Sequence, residues 1–152
     1  MAVHFTKYDR SNFDNCLELF NDNCPQYFAD NERDDYIGFL KANPLDYFVG
    51  EAGNTIASAF GITKIQGMSR SRLSWILVSP TYKGSGIGMA MMNYAKDTAL
   101  AQRSSAIDIA ASHLSAPFFA KFGAKVISTT DNGWGPGMHR VDMELSLSQI
   151  KN

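Results

Sequence analysis

Apolar and polar positions along this 152-residue chain repeat with two different periods, and the switches between them predict its elements. Residues 3–8 alternate as a short first strand. Over residues 11–24, Phe13, Cys16, Leu17 and Phe20 recur at helical spacing, with Ser11 placed to cap and Asp14 in the first turn. Pro25 punctuates. A second helix is expected over residues 31–41, with Tyr36, Phe39 and Leu40 inward and Pro44 closing it. Residues 47–51 and 55–65 read as strands joined by a turn at Gly53-Asn54. A third strand follows over 72–79. Its apolar run Trp75-Ile76-Leu77-Val78 predicts a central strand covered on both faces.

Beyond Pro80 the rhythm changes. Glycines stand at 84, 86 and 88, and residues 87–101 have helical periodicity with Ile87, Met91, Tyr94 and Ala95 inward. Residues 106–111 read as a buried strand. Residues 115–122 form a short helix with Pro117 in its first turn and Gly123 just past its end. Two last strands, 125–130 and 139–146, flank a glycine-rich loop at 131–137. In the final strand Val141, Met143 and Leu145 alternate with Arg140, Asp142 and Glu144, so one face is wet. The order β-α-α-β-β-β-α-β-α-β-β predicts an α/β domain with a mixed sheet. There is no internal repeat or linker, and the length suits a single core spanning residues 1–152.

Composition narrows the classes. With 45% hydrophobic and 19% charged residues, disorder and coiled coil are excluded. No apolar run approaches the ~20 residues of a membrane span, and the first residues lack the apolar stretch of a signal peptide. Cys16 and Cys24 are too few for a disulfide scaffold and are not spaced as a metal knuckle, so a cytoplasmic protein without metal is expected. A net charge of −1 argues against a nucleic-acid partner. Residues 1–60 nevertheless carry ten acids and four bases, and residues 61–152 carry five acids and ten bases. The basic part suits a polyanionic ligand and the acidic part a cation, and ordinary solvated surface accounts for the split equally well.

The segment richest in chemistry is Val78-Ser79-Pro80-Thr81-Tyr82-Lys83-Gly84-Ser85-Gly86-Ile87-Gly88. A buried strand enters a glycine-rich turn that opens a helix. Glycine lets backbone approach a ligand closely, and a helix start offers unpaired N–H groups at the positive end of the dipole. Such a turn holds a phosphate or pyrophosphate; the plainer alternative is a tight strand–helix connection. The P-loop pattern is absent, and Met89 stands where the dinucleotide fingerprint needs its third glycine.

These residues carry a family resemblance. Lys83 to Gly88 resembles the (Arg/Gln)-x-x-Gly-x-(Gly/Ala) motif of the GNAT (general control-related N-acetyltransferase) superfamily, preceded by its Val-x-Pro as Val78-Ser79-Pro80. The segment from Ser112 to Ala124 resembles that family's Asn-x-x-Ala-x-x-Phe-Tyr-x-Lys-x-Gly-Phe. The resemblance implies a mostly antiparallel sheet whose two central strands splay apart, flanked by helices. It implies acetyl-CoA as co-substrate and an amine as acceptor, a small molecule or a peptide; a homodimer is common among relatives. Main-chain amides of Gly84, Ser85, Gly86, Ile87, Gly88 and Met89 would hold the pyrophosphate. Ile76, Leu77 and Val78 would pair with the pantetheine arm, and an amide near Val78 would polarise the thioester carbonyl. Lys83, helped by Arg70 or Lys121, would neutralise phosphate charge, and Ser112 and Phe119 would border the cofactor.

The departures from that pattern are informative. Phe119 replaces a tyrosine that protonates the departing sulfur, so the general acid is unassigned. Arg72 stands where some relatives have a glutamate base. His113 and Ser115 are the remaining catalytic candidates, with His139, Asp108 and Glu51 as further bases; Ser112 and Ser115 alternatively cap the helix that follows. The acidic group Asp30, Glu32, Asp34 and Asp35 would favour an amine, or simply solvate a helix start. Trp134 among glycines suits a mobile wall over a ligand, or a ring packed beneath the turn, whereas Trp75 and Tyr94 read as core. The expected activity is acetyl transfer from acetyl-CoA to a primary amine by direct attack. The alternative is a CoA-binding or acyl-CoA-binding sensor that transfers nothing.

Overall fold

The structure, a computed structural model, describes residues 2–24, 26–82 and 84–147. Pro25 and Lys83, both singled out by the sequence, lie outside the described residues. Seven strands form one sheet: β1 (His4–Lys7), β2 (Tyr47–Ala52), β3 (Thr55–Lys64), β4 (Arg70–Val78), β5 (Ala106–Ser112), β6 (Lys125–Gly135) and β7 (Met138–Ser146). Their order is β1-β2-β3-β4-β5-β7-β6, which puts β4 in the middle. Every neighbouring pair is antiparallel except β4 and β5. That parallel pair spans only Arg70–Leu73 against Ala106–Ile109. Both strands then continue, to Val78 and to Ser112, without pairing to each other. The sheet is therefore open at its centre.

Helix α1 (Phe13–Asn23) and helix α2 (Arg33–Lys41) cover one face; α3 (Ile87–Ala101) covers the other, and a short α4 (Ala116–Ala120) follows β5. Cys16, Leu19, Phe20, Tyr36 and Leu40 pack on Tyr47, Val49, Ala59 and Leu77. On the opposite face Met91, Met92, Ala95 and Ala99 pack on Phe60, Ile62, Leu73, Ile107 and Ile109. Tyr94 faces inward as the periodicity predicts, and its ring meets Phe5, Phe48 and Phe60.

Three local expectations are corrected. Ser11 is not the cap of the first helix. A 3-10 turn (Arg10–Asn12) precedes α1, and the Asp9 carboxylate accepts from both the Ser11 N–H (3.0 Å) and the Ser11 hydroxyl (2.7 Å). A charged acceptor one turn earlier outbids the hydroxyl. The glycine-rich stretch at 131–137 is mostly strand, because β7 supplies partners up to Gly135↔Met138. Only a tight turn at Pro136-Gly137 remains, closed by the Gly137 N–H donating to Asn132 Oδ1 at 2.7 Å. Finally, β4 is central but not sealed on both faces: Trp75, Ile76 and Val78 stay partly exposed because the splay leaves them along a cleft.

One irregularity shapes that cleft. Between the pairs Gly61↔Ser74 and Ala59↔Leu77, β3 offers one residue, Phe60, against two of β4, Trp75 and Ile76. This is a β-bulge. Trp75 takes φ 46°, a left-handed conformation that a bulky side chain enters only at a cost.

Candidate active site

A cleft of about 1030 Å³ runs along the splay. Ile76 and Val78 line it from β4, Ser112 and Ser115 from the end of β5, Gly84, Gly86, Gly88 and Met89 from the glycine turn, and Phe118 and Phe119 from α4. Across from them stand Phe28, Glu32, Trp75 and Trp134.

The glycine turn divides its labour. Gly84 (φ 82°) and Gly86 (φ 91°) hold left-handed conformations, and a Cβ at either would meet nothing within 4 Å. Their freedom serves the turn and leaves open space above it. Gly88 is different: a Cβ there would come 2.8 Å from the Phe118 ring, so this glycine lets α3 and α4 pack closely. Gly86 is the N-cap of α3 and has no side chain to cap with. The first amide to turn back into the helix is that of Ala90, onto the Gly86 carbonyl at 3.0 Å. The amides of Ile87, Gly88 and Met89 thus have no acceptor among the described residues, as a helix start dictates. The Ser85 amide does not join them, since it donates to the Tyr82 carbonyl at 3.1 Å, and the Ser85 hydroxyl turns onto the same oxygen.

The edge of β4 faces the cleft with main-chain groups. Ser79 N–H donates to the Ala57 carbonyl at 2.8 Å, so in the pair Ser58↔Val78 the groups of Val78 point away from β3. They point toward β5, where pairing has ended. Asn23, buried at the end of α1, donates to the Val78 carbonyl at 3.1 Å and to the Leu19 carbonyl at 2.8 Å. Among the described residues the Val78 N–H has no such partner.

The acidic group at residues 30–35 does not behave as one solvated helix start. Asp30 is exposed and pairs with Arg33 at 3.2 Å. Glu32 is only 6% exposed and turns into the cleft. Its Oε2 accepts from the Ala29 N–H at 2.9 Å, while the Glu32 N–H donates to the Ala29 carbonyl at 2.9 Å. Burial pushes its carboxyl up to about 7, against the lowering pull of the Ala29 amide. Neighbouring acids camouflage this residue in the sequence. What signals it is the three-residue return to Ala29, recognisable only once the turn is known.

The other candidates fall on both sides of the cleft wall. Of the histidines, His113 accepts the His139 N–H on its Nδ1 at 3.2 Å, their rings meet at a tilt 4.7 Å apart, and neither lines the cleft. Glu51 lies on β2 opposite His4, far from the opening. Ser112 and Ser115 bond to each other: each hydroxyl accepts the other's N–H, at 3.0 and 3.1 Å. The Ser115 hydroxyl therefore does not cap α4. Phe119 is buried in the core with one side on the cleft and brings no proton. Trp134 lines the cleft, where its Nε1–H donates to the Ala111 carbonyl at 2.9 Å and Arg140 lies over its ring. Trp75 is more than core, because it forms the bulge. Arg70 also borders the cleft, though away from the glycine turn. It sits at the far end of β4, eight residues and roughly 25 Å from Val78, bound to Asp108 and Glu144. Lys121 reaches the cleft too.

That ion trio has a purpose of its own. Asp108 and Glu144 are directly opposite across β5 and β7, a repulsive pair that Arg70 bridges. Arg70→Met should cost about 1–2 kcal/mol at pH 7 after solvent screening of these half-exposed groups. Urea unfolding of the variant beside the wild type at pH 7 measures that loss.

Comparison with known proteins decides the family. The model of the acetyltransferase (GNAT) family matches residues 13–124. The chain belongs to the GNAT family. GNAT structures share its architecture at low identity. A putative GNAT-family acetyltransferase from Desulfovibrio desulfuricans superposes with a TM-score of 0.80 at 14% identity, over 97% of this chain and 100% of that one. An aminoglycoside 6'-N-acetyltransferase complexed with coenzyme A gives 0.75 at 13%, over 98% and 99%. The putative acetyltransferase yncA from Salmonella typhimurium, solved with acetyl-CoA, gives 0.73 at 14%, over 100% and 98%. No curated protein sequence matches. Among the described residues no helix is long and apolar enough to cross a membrane, and no group of three or more His, Cys, Asp or Glu could hold a metal ion.

Proposed function

We propose that this GNAT-family chain transfers an acetyl group from acetyl-CoA to an amine by direct attack within a ternary complex. The observation that carries the reading is the continuity of one cleft. Uncommitted amides at the mouth of α3, unpaired β4 edge and a buried carboxylate of raised pKa all border it. Two of the structural neighbours were solved with coenzyme A or acetyl-CoA, which supports the same ligand here.

In this reading the amides of Ile87, Gly88 and Met89 receive the pyrophosphate, with Lys121 adding charge. The edge of β4 at Ile76 and Val78 pairs with the pantetheine arm. A main-chain N–H of that edge stabilises the oxygen that becomes negative as the amine attacks. The amine nitrogen bonds to the thioester carbon, and Glu32, rather than a histidine, takes the proton the nitrogen sheds. A carboxylate poised near 7 suits that task, being ionised at working pH yet basic enough to accept. The carbon–sulfur bond then breaks and CoA leaves as thiolate. With a thiol pKa of about 8.5 this departure tolerates the absence of a tyrosine at 119, and solvent supplies the final proton.

The test is turnover of acetyl-CoA against a panel of primary amines, followed by free thiol and by mass of the product. Acetylated amine together with stoichiometric thiol is the expected result. Tight CoA binding with no product from any amine would overturn transfer in favour of a sensor.

A further inference from the structure

Resting on the reading that the cleft holds a thioester, we propose that Tyr47 and Tyr36 are positioning residues, whose hydroxyls clamp the Trp75 carbonyl and so aim the Ile76 N–H at the thioester oxygen. The bulge creates the need. Phe60 faces both Trp75 and Ile76, so the ladder cannot serve every main-chain group of that pair. The Tyr47 hydroxyl reaches across from β2 and donates to the Trp75 carbonyl at 2.6 Å. Its one proton is thereby spent. The 2.8 Å contact between Tyr36 and Tyr47 must then have Tyr36 donating. The Cys16 side chain packs in the same buried cluster. Cys16, Tyr36 and Tyr47 are all fully buried, so water offers no substitute partner.

The rings have no freedom to wander. Tyr47 packs edge-on against Tyr8, Tyr36 and Phe39. Gly61 clears its path: a Cβ there would stand 3.2 Å from Tyr47 Cδ1. The hydroxyl that meets Trp75 is thus fixed from every side.

Peptide geometry carries the consequence into the cleft. A trans peptide points its carbonyl and its N–H in opposite directions. With the Trp75 carbonyl held on the β2–β3 side by Tyr47, the Ile76 N–H points toward β5, where the parallel pairing has ended. Strand alternation agrees, since Ile76 stands two residues before Val78, whose groups also face the splay. The left-handed φ of Trp75 is the strain that this arrangement sustains.

The experiment combines infrared spectroscopy with kinetics. Acetyl-CoA carrying 13C at its thioester carbonyl is bound to wild type, Tyr47→Phe and Tyr36→Phe. In wild type the carbonyl band should move to lower frequency than in water. In Tyr47→Phe most of that displacement should vanish and kcat should fall about tenfold to hundredfold, with the affinity for CoA held within about threefold. Tyr36→Phe leaves the Tyr47 bond in place but unsupported, and should give a smaller change in the same direction. Should Tyr47→Phe not fold, a band partly returned in Tyr36→Phe supports the clamp and an unmoved band overturns it. A folded Tyr47→Phe that keeps the wild-type band overturns it directly, whatever happens to its melting temperature. A wild type that binds acetyl-CoA without displacing the band removes the clamp and the polarised-thioester step together.

Discussion

Gly86→Glu is expected to abolish the rise in melting temperature that acetyl-CoA produces in the wild-type protein. A ligand at a hundred times its Kd stabilises a fold by about 2.7 kcal/mol. In a chain of 152 residues that is a shift of roughly 5–10 °C. Gly86 sits at the N-cap of α3 with open space where a Cβ would go, so a glutamate fills the volume above the first amides of that helix and brings a charge that repels phosphate. The residue also has φ 91°, and any side chain there strains the backbone. Gly86→Ala separates the two effects. It should lower the melting temperature of the free protein by about as much as the glutamate does, yet keep a substantial part of the shift with acetyl-CoA. A full shift in Gly86→Glu would mean that the pyrophosphate is held elsewhere.

Glu32→Gln should cut kcat by about a hundredfold to ten-thousandfold, the usual worth of a general base, with CoA affinity unchanged. Glutamine can still accept the Ala29 N–H, so the turn is preserved while the proton acceptor is lost. In the wild type, kcat should fall as pH drops through about 7 and Glu32 takes up a proton. The variant's residual rate should lack that bend.

Stability should move the other way. The folded carboxyl is raised from 4.5 to about 7 by burial. Between those values the folded chain holds a proton that the unfolded chain has released. Stability from this group is therefore present at low pH and lost as pH rises through about 7, a deficit on the order of 2–3 kcal/mol. Glutamine carries no charge to desolvate, so the variant should melt higher than wild type at pH 8, with the advantage gone near pH 4.5. A variant that keeps its turnover within a factor of about two would remove Glu32 from the reaction.

The legible parts of this molecule are those governed by short-range pattern. The helix over 87–101 was read to the residue, because Gly86 and Ile87 switch the period at a defined point. The wet face of the last strand was legible as well, since Val141, Met143 and Leu145 alternate with charged residues and β7 packs only one side. The glycine turn is legible as an open helix start, although the separate task of Gly88 is not: its reason is the Phe118 ring, thirty residues away. Glu32 is hidden in the sequence for a different cause. Its neighbours Asp34 and Asp35 are exposed and look alike in composition, and only the reach of Glu32 back to the Ala29 amide turns it inward.

From its sequence alone, this chain dictates which segments are helix and strand, that the two central strands are apolar, and that a helix begins within a run of three alternate glycines. Those features depend on residue type and spacing within a dozen positions. The tertiary structure alone decides where β4 and β5 part, that Trp75 is bent into a bulge beneath two buried phenols, and which single acid of the cluster is stripped of water. The bulge and its surroundings are tied to partners 11 to 55 residues away along the chain: Tyr36 on Tyr47, Tyr47 on Trp75, and Asn23 on Val78. Pairing and desolvation are properties of distance in space, and no local period encodes them.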